Sequence, residues 1–152
     1  AVDVINGTRS AAVFAASADG TVTLTNTAQA ATDVTVLLSG WITAPRDDGA
    51  RLQPASGDLG SVKAGKTRTL TRGIPADAEA VVLAVTTKGA AKAGGVTVWG
   101  AGEQPSARSV DVRAKRANTD LVLVTLGADK AVRVAGKAPK ATVSVRMVGV
   151  IR

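Results

Sequence analysis

The stretches AVVLAVTT (80–87) and GVTVWG (95–100) decide the fold of this 152-residue chain. In both of them Val and Leu occupy alternate positions, which places them on one side of an extended backbone. The same alternation occurs in TVTLT (21–25) and in DVTVLLSG (33–40). An alternating pattern rich in Val and Thr is typical of β-strands that bury one face.

Turn signals separate these strands at short intervals along the chain. Asp19-Gly20, Ala64-Gly65 and Gly94-Gly95 are examples, and the chain has 16 glycines. Many short alternating runs with frequent turns predict an all-β protein, and no run has the period of a helix. We therefore predict a single β-sandwich domain over residues 1–152. It would have about ten to twelve short strands in a Greek-key, jelly-roll or immunoglobulin-like arrangement.

A hairpin unit is repeated within the chain. SADGTVTLTNTAQAATDVTVLLSGWIT (17–43) aligns with GADKAVRVAGKAPKATVSVRMVGVIR (127–152) when one gap is allowed in the loop. The apolar positions agree between the copies, whereas several outward positions become basic in the second. We therefore divide the domain into a first hairpin unit, residues 1–43, and a main module, residues 51–152. The two copies are expected to lie in related positions of one body.

Two residue types that are common in active sites are missing, because the chain has no His and no Cys. His is the usual general base near neutral pH, and the Ser-His-Asp and Cys-His arrangements cannot form without it. We therefore expect no enzyme, no metal site and no cofactor. The aspartates between residues 47 and 58 are expected to serve as turn residues rather than as Ca²⁺ ligands. No run of 18 apolar residues occurs, so no membrane span is predicted.

Positive charge is concentrated towards the C-terminus. The net charge is +7 overall, with −3 in residues 1–50, +3 in residues 51–112 and +7 in residues 113–152. The segment KAVRVAGKAPKATVSVRMVGVIR (130–152) holds six Lys and Arg residues and no acidic residue.

The two alternating halves of this segment predict a final hairpin with a cationic face. Arg133 and Arg146 would lie on the same face of its two arms, with Lys137 and Lys140 at its loop. Together with the basic residues before the hairpin they form a candidate anion-binding site: Arg113, Lys115, Arg116, Lys130, Arg133, Lys137, Lys140 and Arg146. The alternative interpretation is a solvated strand whose charges protect a sheet edge from pairing.

Such a face favours anionic polymers or anionic small molecules as partners, bound less tightly as salt increases. Specific nucleic-acid binding is not expected, because single-strand binders interleave basic residues with aromatic ones. The chain has only three large aromatic residues, Phe14, Trp41 and Trp99, and none lies in the basic segment.

Trp99 is a candidate contact for a sugar or a partner protein. It alternates with Val96 and Val98, so its ring is expected to point away from their face. An exposed indole beside Gly100 would suit stacking on a sugar ring. The alternative is a Trp that packs at the end of the core or at an interface.

Five stretches carry a family resemblance: GSVKAGKTRTLT (60–71), GIPADAEAVVLAVTT (73–87), GGVTVWGAGEQPSARSVDV (94–112), RANTDLVLVTLGADKAV (116–132) and ATVSVRMVGVIR (141–152). On these stretches the chain resembles a repeated β-sandwich module of secreted actinobacterial proteins, often attached to wall-active hydrolases or proteases. Residues 8–43 resemble the closing half of a preceding copy. The resemblance implies a non-catalytic accessory or adhesion role, and it supplies no catalytic residue.

Three functions fit these features. The first is a secreted, extracellular module whose cationic C-terminal hairpin binds an anionic partner such as a cell-envelope polymer, with attachment to the cell surface left open. The second is binding of an anionic small molecule, such as a porphyrin or a lipid head group, in a basic groove. The third is a structural protein that assembles at surfaces by self-association. The chain begins at Ala1 and its only Met is Met147, which fits a processed, exported protein as well as a shortened chain.

Overall fold

The structure of the protein is a computed structural model that describes residues 21–23, 25 and 51–152. Residues 51–152 form two antiparallel sheets of four strands each, which confirms the predicted all-β sandwich. The strands are β1 (Leu52–Lys63), β2 (Thr67–Leu70), β3 (Ala80–Lys88), β4 (Gly94–Trp99), β5 (Val110–Val112), β6 (Asn118–Thr125), β7 (Val132–Gly136) and β8 (Thr142–Ile151). The described residues include no helix that is long and apolar enough to cross a lipid bilayer.

The order of the strands is that of a jelly roll. One sheet has the order β1-β8-β3-β6 and the other has the order β2-β7-β4-β5. Consecutive strands therefore lie in opposite sheets, except for β4 and β5, which pair with each other. Of the three predicted arrangements, the jelly roll with its two interlocked Greek keys is the one observed.

Alternate residues of the central strands form the core between the sheets. Val81, Leu83 and Val85 of β3 are fully buried, as are Val143 and Val145 of β8. Full burial of one such side chain stabilises the fold by about 1.5–3 kcal/mol, so the regular alternation of valines accounts for much of the stability. The same alternation sends the intervening residues of each strand to the outer face of its sheet.

The predicted final hairpin is not formed. β7 pairs with β2 and β4 in one sheet, whereas β8 pairs with β1 and β3 in the other. The two strands are consecutive in sequence but face each other across the core. The alternative of edge protection is also wrong, because β7 and β8 each have a partner strand on both sides, and the edges among the described strands are β1, β6, β2 and β5.

The first hairpin unit lies almost entirely outside the described residues. Of residues 1–43, the structure describes residues 21–23 and 25, which are exposed and belong to no strand. Val22 is 49% exposed, whereas Val132, its match in the sequence repeat, is 0% exposed. The eight strands of residues 51–152 are therefore those of the main module alone.

Two leucines of paired strands provide a test of where the core lies. Leu83 of β3 is fully buried, and replacing it by Ala is expected to lower the free energy of unfolding by about 2–5 kcal/mol. Leu123 of β6 is 47% exposed, and the same replacement there is expected to cost less than about 1 kcal/mol. Urea unfolding of both variants measures the difference, and equal losses would contradict the assignment of the two faces.

Candidate functional site

Four connections between strands lie together at one end of the sandwich. They join β1 to β2, β3 to β4, β5 to β6 and β7 to β8, and each of them passes from one sheet to the other. Because neighbouring strands are antiparallel, β1, β3, β5 and β7 all end on this side of the molecule. We count as the four loops residues 63–66, 88–93, 113–117 and 137–141, the first two of which include the last residue of β1 and of β3.

Backbone hydrogen bonds tie the four loops to one another. The amide of Ala64 donates to the carbonyl of Ala141 at 3.0 Å, which links the first loop to the end of the last. The amide of Ala91 donates to Pro139 at 2.9 Å, and the amide of Lys115 donates to Ala90 at 2.9 Å. The four loops are thus one connected surface.

This surface carries positive charge only. Its four loops contain nine Lys and Arg residues and no Asp or Glu, and their other residues are Ala, Gly and Pro. The three loops at the opposite end (71–79, 100–109 and 126–131) contain three basic and four acidic residues. We call the nine residues the basic pole: Lys63, Lys66, Lys88, Lys92, Arg113, Lys115, Arg116, Lys137 and Lys140.

Within residues 51–152, no salt bridge is formed by a lysine of the basic pole. The salt bridges instead join Arg108 to Asp111 (2.7 Å), Arg152 to Asp77 (3.1 Å), and Arg133 to Asp129. Like charges on neighbouring loops repel one another, so the arrangement does not favour folding. It does create a positive potential that attracts anions.

Two lysines of the basic pole occupy backbone conformations that normally favour glycine. Lys140 has φ 61° and is the third residue of a turn closed by the amide of Ala141 on the carbonyl of Ala138 (3.2 Å). In the corresponding turn between β1 and β2 this position is Gly65, with φ 70°. Lys115 also has a positive φ, 58°. Each non-glycine residue in this region costs roughly 1–2 kcal/mol, so the backbone alone does not explain a lysine at either position.

Five of the eight residues predicted to bind anions belong to the basic pole. They are Arg113, Lys115, Arg116, Lys137 and Lys140, and the loops before β6 and β8 present them. Arg113 is half-buried and the other four are exposed. The structure brings these five residues together although the hairpin on which Lys137 and Lys140 were placed does not exist.

The other three predicted residues lie elsewhere. The ammonium group of Lys130 donates to the carbonyl of Ala78 at 2.7 Å, at the opposite end of the sandwich. Arg133 donates to the carbonyl of Gly100 and forms an ion pair with Asp129. Both side chains are engaged in holding loops away from the basic pole.

Arg133 and Arg146 do not share a face. Arg146 follows the buried Val145 in β8 and is exposed on the outer face of the β1-β8-β3-β6 sheet. Arg133 lies between the buried residues Val132 and Val134 of β7, which places it on the outer face of the other sheet. The prediction failed because alternation within a strand does not reveal to which sheet the strand belongs.

Four residues of the basic pole were missed in the sequence: Lys63, Lys66, Lys88 and Lys92. They are far from the C-terminal segment in sequence, and only the fold brings them to it. A signal was nevertheless present, since KAGK (63–66), KGAAK (88–92) and KAPK (137–140) all place lysines at both ends of a run of small residues.

Trp99 is buried, with 8% of its surface exposed. It pairs with Arg133 in the register of β4 and β7. So little exposure leaves no ring face on which a sugar could stack. Of the two interpretations, packing is therefore the one that the structure favours.

The side chains of the basic pole supply positive charges, and the other residues of its loops are Ala, Gly and Pro. Lysine ammonium groups are compact donors that attract phosphate and carboxylate without imposing a planar geometry. Within residues 51–152 no group of three or more acidic side chains is placed to hold a metal ion. The chemistry available at the pole is thus that of anion binding.

No protein-family model, no curated protein and no solved structure matches the chain.

The ion pair of Arg133 with Asp129 predicts a pH effect that can be measured on one carboxyl group. The hydrogen bond from Arg133 lowers the pKa of Asp129 below 3.8, against a smaller opposing effect of desolvation. Because the folded-state pKa lies below the unfolded value, the pair stabilises the fold above the unfolded value. This contribution is lost as the pH falls through the folded-state pKa.

We expect Arg133→Met to return the pKa of Asp129 towards its ordinary value, as followed by a carboxyl ¹³C NMR titration. Arg146→Met removes the same charge from the opposite outer face and is the matched control, which should leave Asp129 unchanged. An unaltered titration of Asp129 in Arg133→Met would show that the pair does not form in solution.

Proposed function

We propose that the protein is a secreted, non-enzymatic binding module that holds an anionic polymer, such as a polymer of the bacterial cell envelope, at its basic pole. The observation that carries the proposal is the convergence of nine Lys and Arg residues, without one acidic residue, on four loops at one end of the sandwich. The C-terminal hairpin that suggested this function is replaced by the pole as the binding surface.

The number and spread of the charges favour a polymer over a single ion. Each exposed lysine at an anionic surface contributes roughly 1 kcal/mol, which is too little for tight binding by one residue. Several such contacts to one chain of linked anionic groups add up, because the later contacts form within an already bound molecule. A polyanion is thus the partner that uses the whole surface.

The two lysines of the basic pole that have a positive φ support a role for charge itself. A glycine at Lys115 or at Lys140 would relieve the backbone, as Gly65 does in the corresponding turn. A lysine at each position adds a positive charge to a surface where like charges already repel. This combination is expected of residues that serve binding rather than folding.

The resemblance to secreted actinobacterial modules supports the proposed location and the absence of catalysis. Modules attached to wall-active enzymes work next to an envelope rich in phosphate and carboxylate groups. The lack of His and Cys in the sequence agrees with a role that needs no nucleophile or general base.

Replacing the two strained lysines by glycine tests binding without harming the fold. In Lys115→Gly with Lys140→Gly the relief of backbone strain stabilises the folded state. The greater entropy of glycine stabilises the unfolded chain, and the two effects on the free energy of unfolding nearly cancel. We expect the free energy of unfolding to stay within about 1 kcal/mol of the parent protein, measured by urea unfolding. A loss of several kcal/mol would show that these lysines are required by the fold.

The same double variant is expected to bind purified actinobacterial cell walls about 30-fold more weakly, on a scale of about 1 kcal/mol per lysine. Cosedimentation over roughly 50 to 500 mM salt measures the affinity, which should fall as salt rises. Binding that does not respond to salt would contradict an electrostatic site.

The matched control removes two charges away from the basic pole. Arg72→Gln with Arg146→Gln changes one exposed residue of the opposite end and one of an outer sheet face. Its net charge equals that of the double glycine variant, so it should keep most of the affinity. If both variants lose affinity equally, net charge and not the pole determines binding.

A further inference from the structure

A cleft of about 400 Å³ lies beside the basic pole and shares Lys137 with it. It opens on the outer face of the β2-β7-β4-β5 sheet, between the start of β4 and the loop that joins β4 to β5. Its volume is near the lower end of the roughly 300–1,000 Å³ usual for small-molecule sites. The lining residues are Gly94, Gly95, Thr97, Ser106, Ala107, Arg108 and Lys137.

Two glycines make the floor of the cleft. A Cβ atom at Gly95 would come within 2.8 Å of Cδ and 2.9 Å of Cβ of Arg108, so the side chain of Arg108 already lies against the backbone at this position. A Cβ atom at Gly94 would come within 2.9 Å of Ala138, which belongs to the last loop of the pole. The two glycines therefore allow Arg108 and the last loop of the pole to pack closely against the start of β4, and this packing shapes the cleft.

The wall of the cleft is held in place by the neighbouring strand. The hydroxyl of Ser109 accepts from the amide of Val98 (2.9 Å) and donates to its carbonyl (3.2 Å). Arg108 forms a salt bridge with Asp111 through Nε at 2.7 Å. These bonds therefore hold the loop between β4 and β5 in a fixed position over the glycines.

The lining combines positive charge with hydroxyl groups and lacks aromatic rings. Lys137 and Arg108 supply cationic donors, and Ser106 supplies an exposed hydroxyl. The hydroxyl of Thr97 donates to the carbonyl of Ala107 at 3.5 Å, a long bond that a ligand can replace. Such a set suits a compact ligand that carries one anionic group and several hydroxyl groups.

We propose that this cleft binds one phosphorylated sugar or polyol unit, with its phosphate at Lys137 and Arg108 and its hydroxyl groups at Ser106 and Thr97. The inference rests on the proposed function in one respect, because such a unit is the repeat of a phosphate-linked envelope polymer. The basic pole then supplies the electrostatic attraction for the chain, and the cleft selects the chemistry of its repeating unit.

The test is a titration of the full chain by ¹H–¹⁵N NMR with three ligands: glucose 1-phosphate, sn-glycerol 3-phosphate and inorganic phosphate. We expect saturable shifts of the amides of Gly94, Gly95, Thr97 and Ser106. At least one of the two esters should bind about fivefold or more tightly than inorganic phosphate, because its hydroxyl groups add hydrogen bonds. Which ester binds better distinguishes a sugar unit from a polyol unit.

Gly95→Ala is the blocking variant, and Gly57→Ala is its matched control. The new methyl group at residue 95 would come within 2.8 Å of Cδ of Arg108 and must displace this side chain, so ester binding should weaken by roughly tenfold or more. At residue 57 it would meet only the end of Met147 at 3.5 Å, far from the cleft in the other sheet, and ester binding should be unchanged. Equal effects of the two variants would overturn the proposal.

Equal affinity for the esters and for inorganic phosphate, or shifts confined to the four loops of the pole, would also overturn it. The double variant Lys115→Gly with Lys140→Gly separates this inference from the proposed function. It should bind cell walls about 30-fold more weakly while it keeps the binding of the ester. Ester binding by a protein that does not bind cell walls would refute the polymer and support the cleft.

Discussion

The alternation of consecutive strands between two sheets is the constraint on which the rest of the structure depends. It makes every connection but one cross from sheet to sheet, and it sends the first, third, fifth and seventh connections to the same end. Residues separated by as many as 77 positions, from Lys63 to Lys140, thereby share one surface. The position of the basic pole follows from this topology and from the short loops that it permits.

The loops of the pole pack on the hydrophobic core. Ala90, Ala138 and Ala141 are buried beneath them and belong to the hydrophobic core. Small side chains at these positions allow the backbones of neighbouring loops to approach and form hydrogen bonds, while the long lysine side chains extend into solvent. The core thus fixes the backbone positions from which the lysine side chains extend. The backbone therefore loses less entropy when a partner binds.

The alternation of apolar residues predicted the fold well, because burial of one strand face is a local property. Val81, Leu83 and Val85 could be assigned to a core without knowledge of their partners. The pairing of strands is not local, and this is why β7 and β8 were wrongly placed in one hairpin and Arg133 was placed beside Arg146. Five of the eight predicted site residues lie in the pole because they belong to two loops that the fold brings together. Lys63, Lys66, Lys88 and Lys92 join them only through antiparallel pairing over long separations.

The central claim is that the four loops act as one anion-binding surface. Lysine side chains provide the most direct test of it, because almost all of them lie in these loops. Seven of the eight lysines of the chain lie in the basic pole, and the eighth, Lys130, is bonded to Ala78 at the other end. Reductive ¹³C-methylation labels all of them and retains their charge, so one NMR titration with polyphosphate reports on both ends. We predict that the signals of lysines from all four loops shift together while that of Lys130 stays in place. Equal shifts at Lys130, or shifts confined to a single loop, would contradict the account.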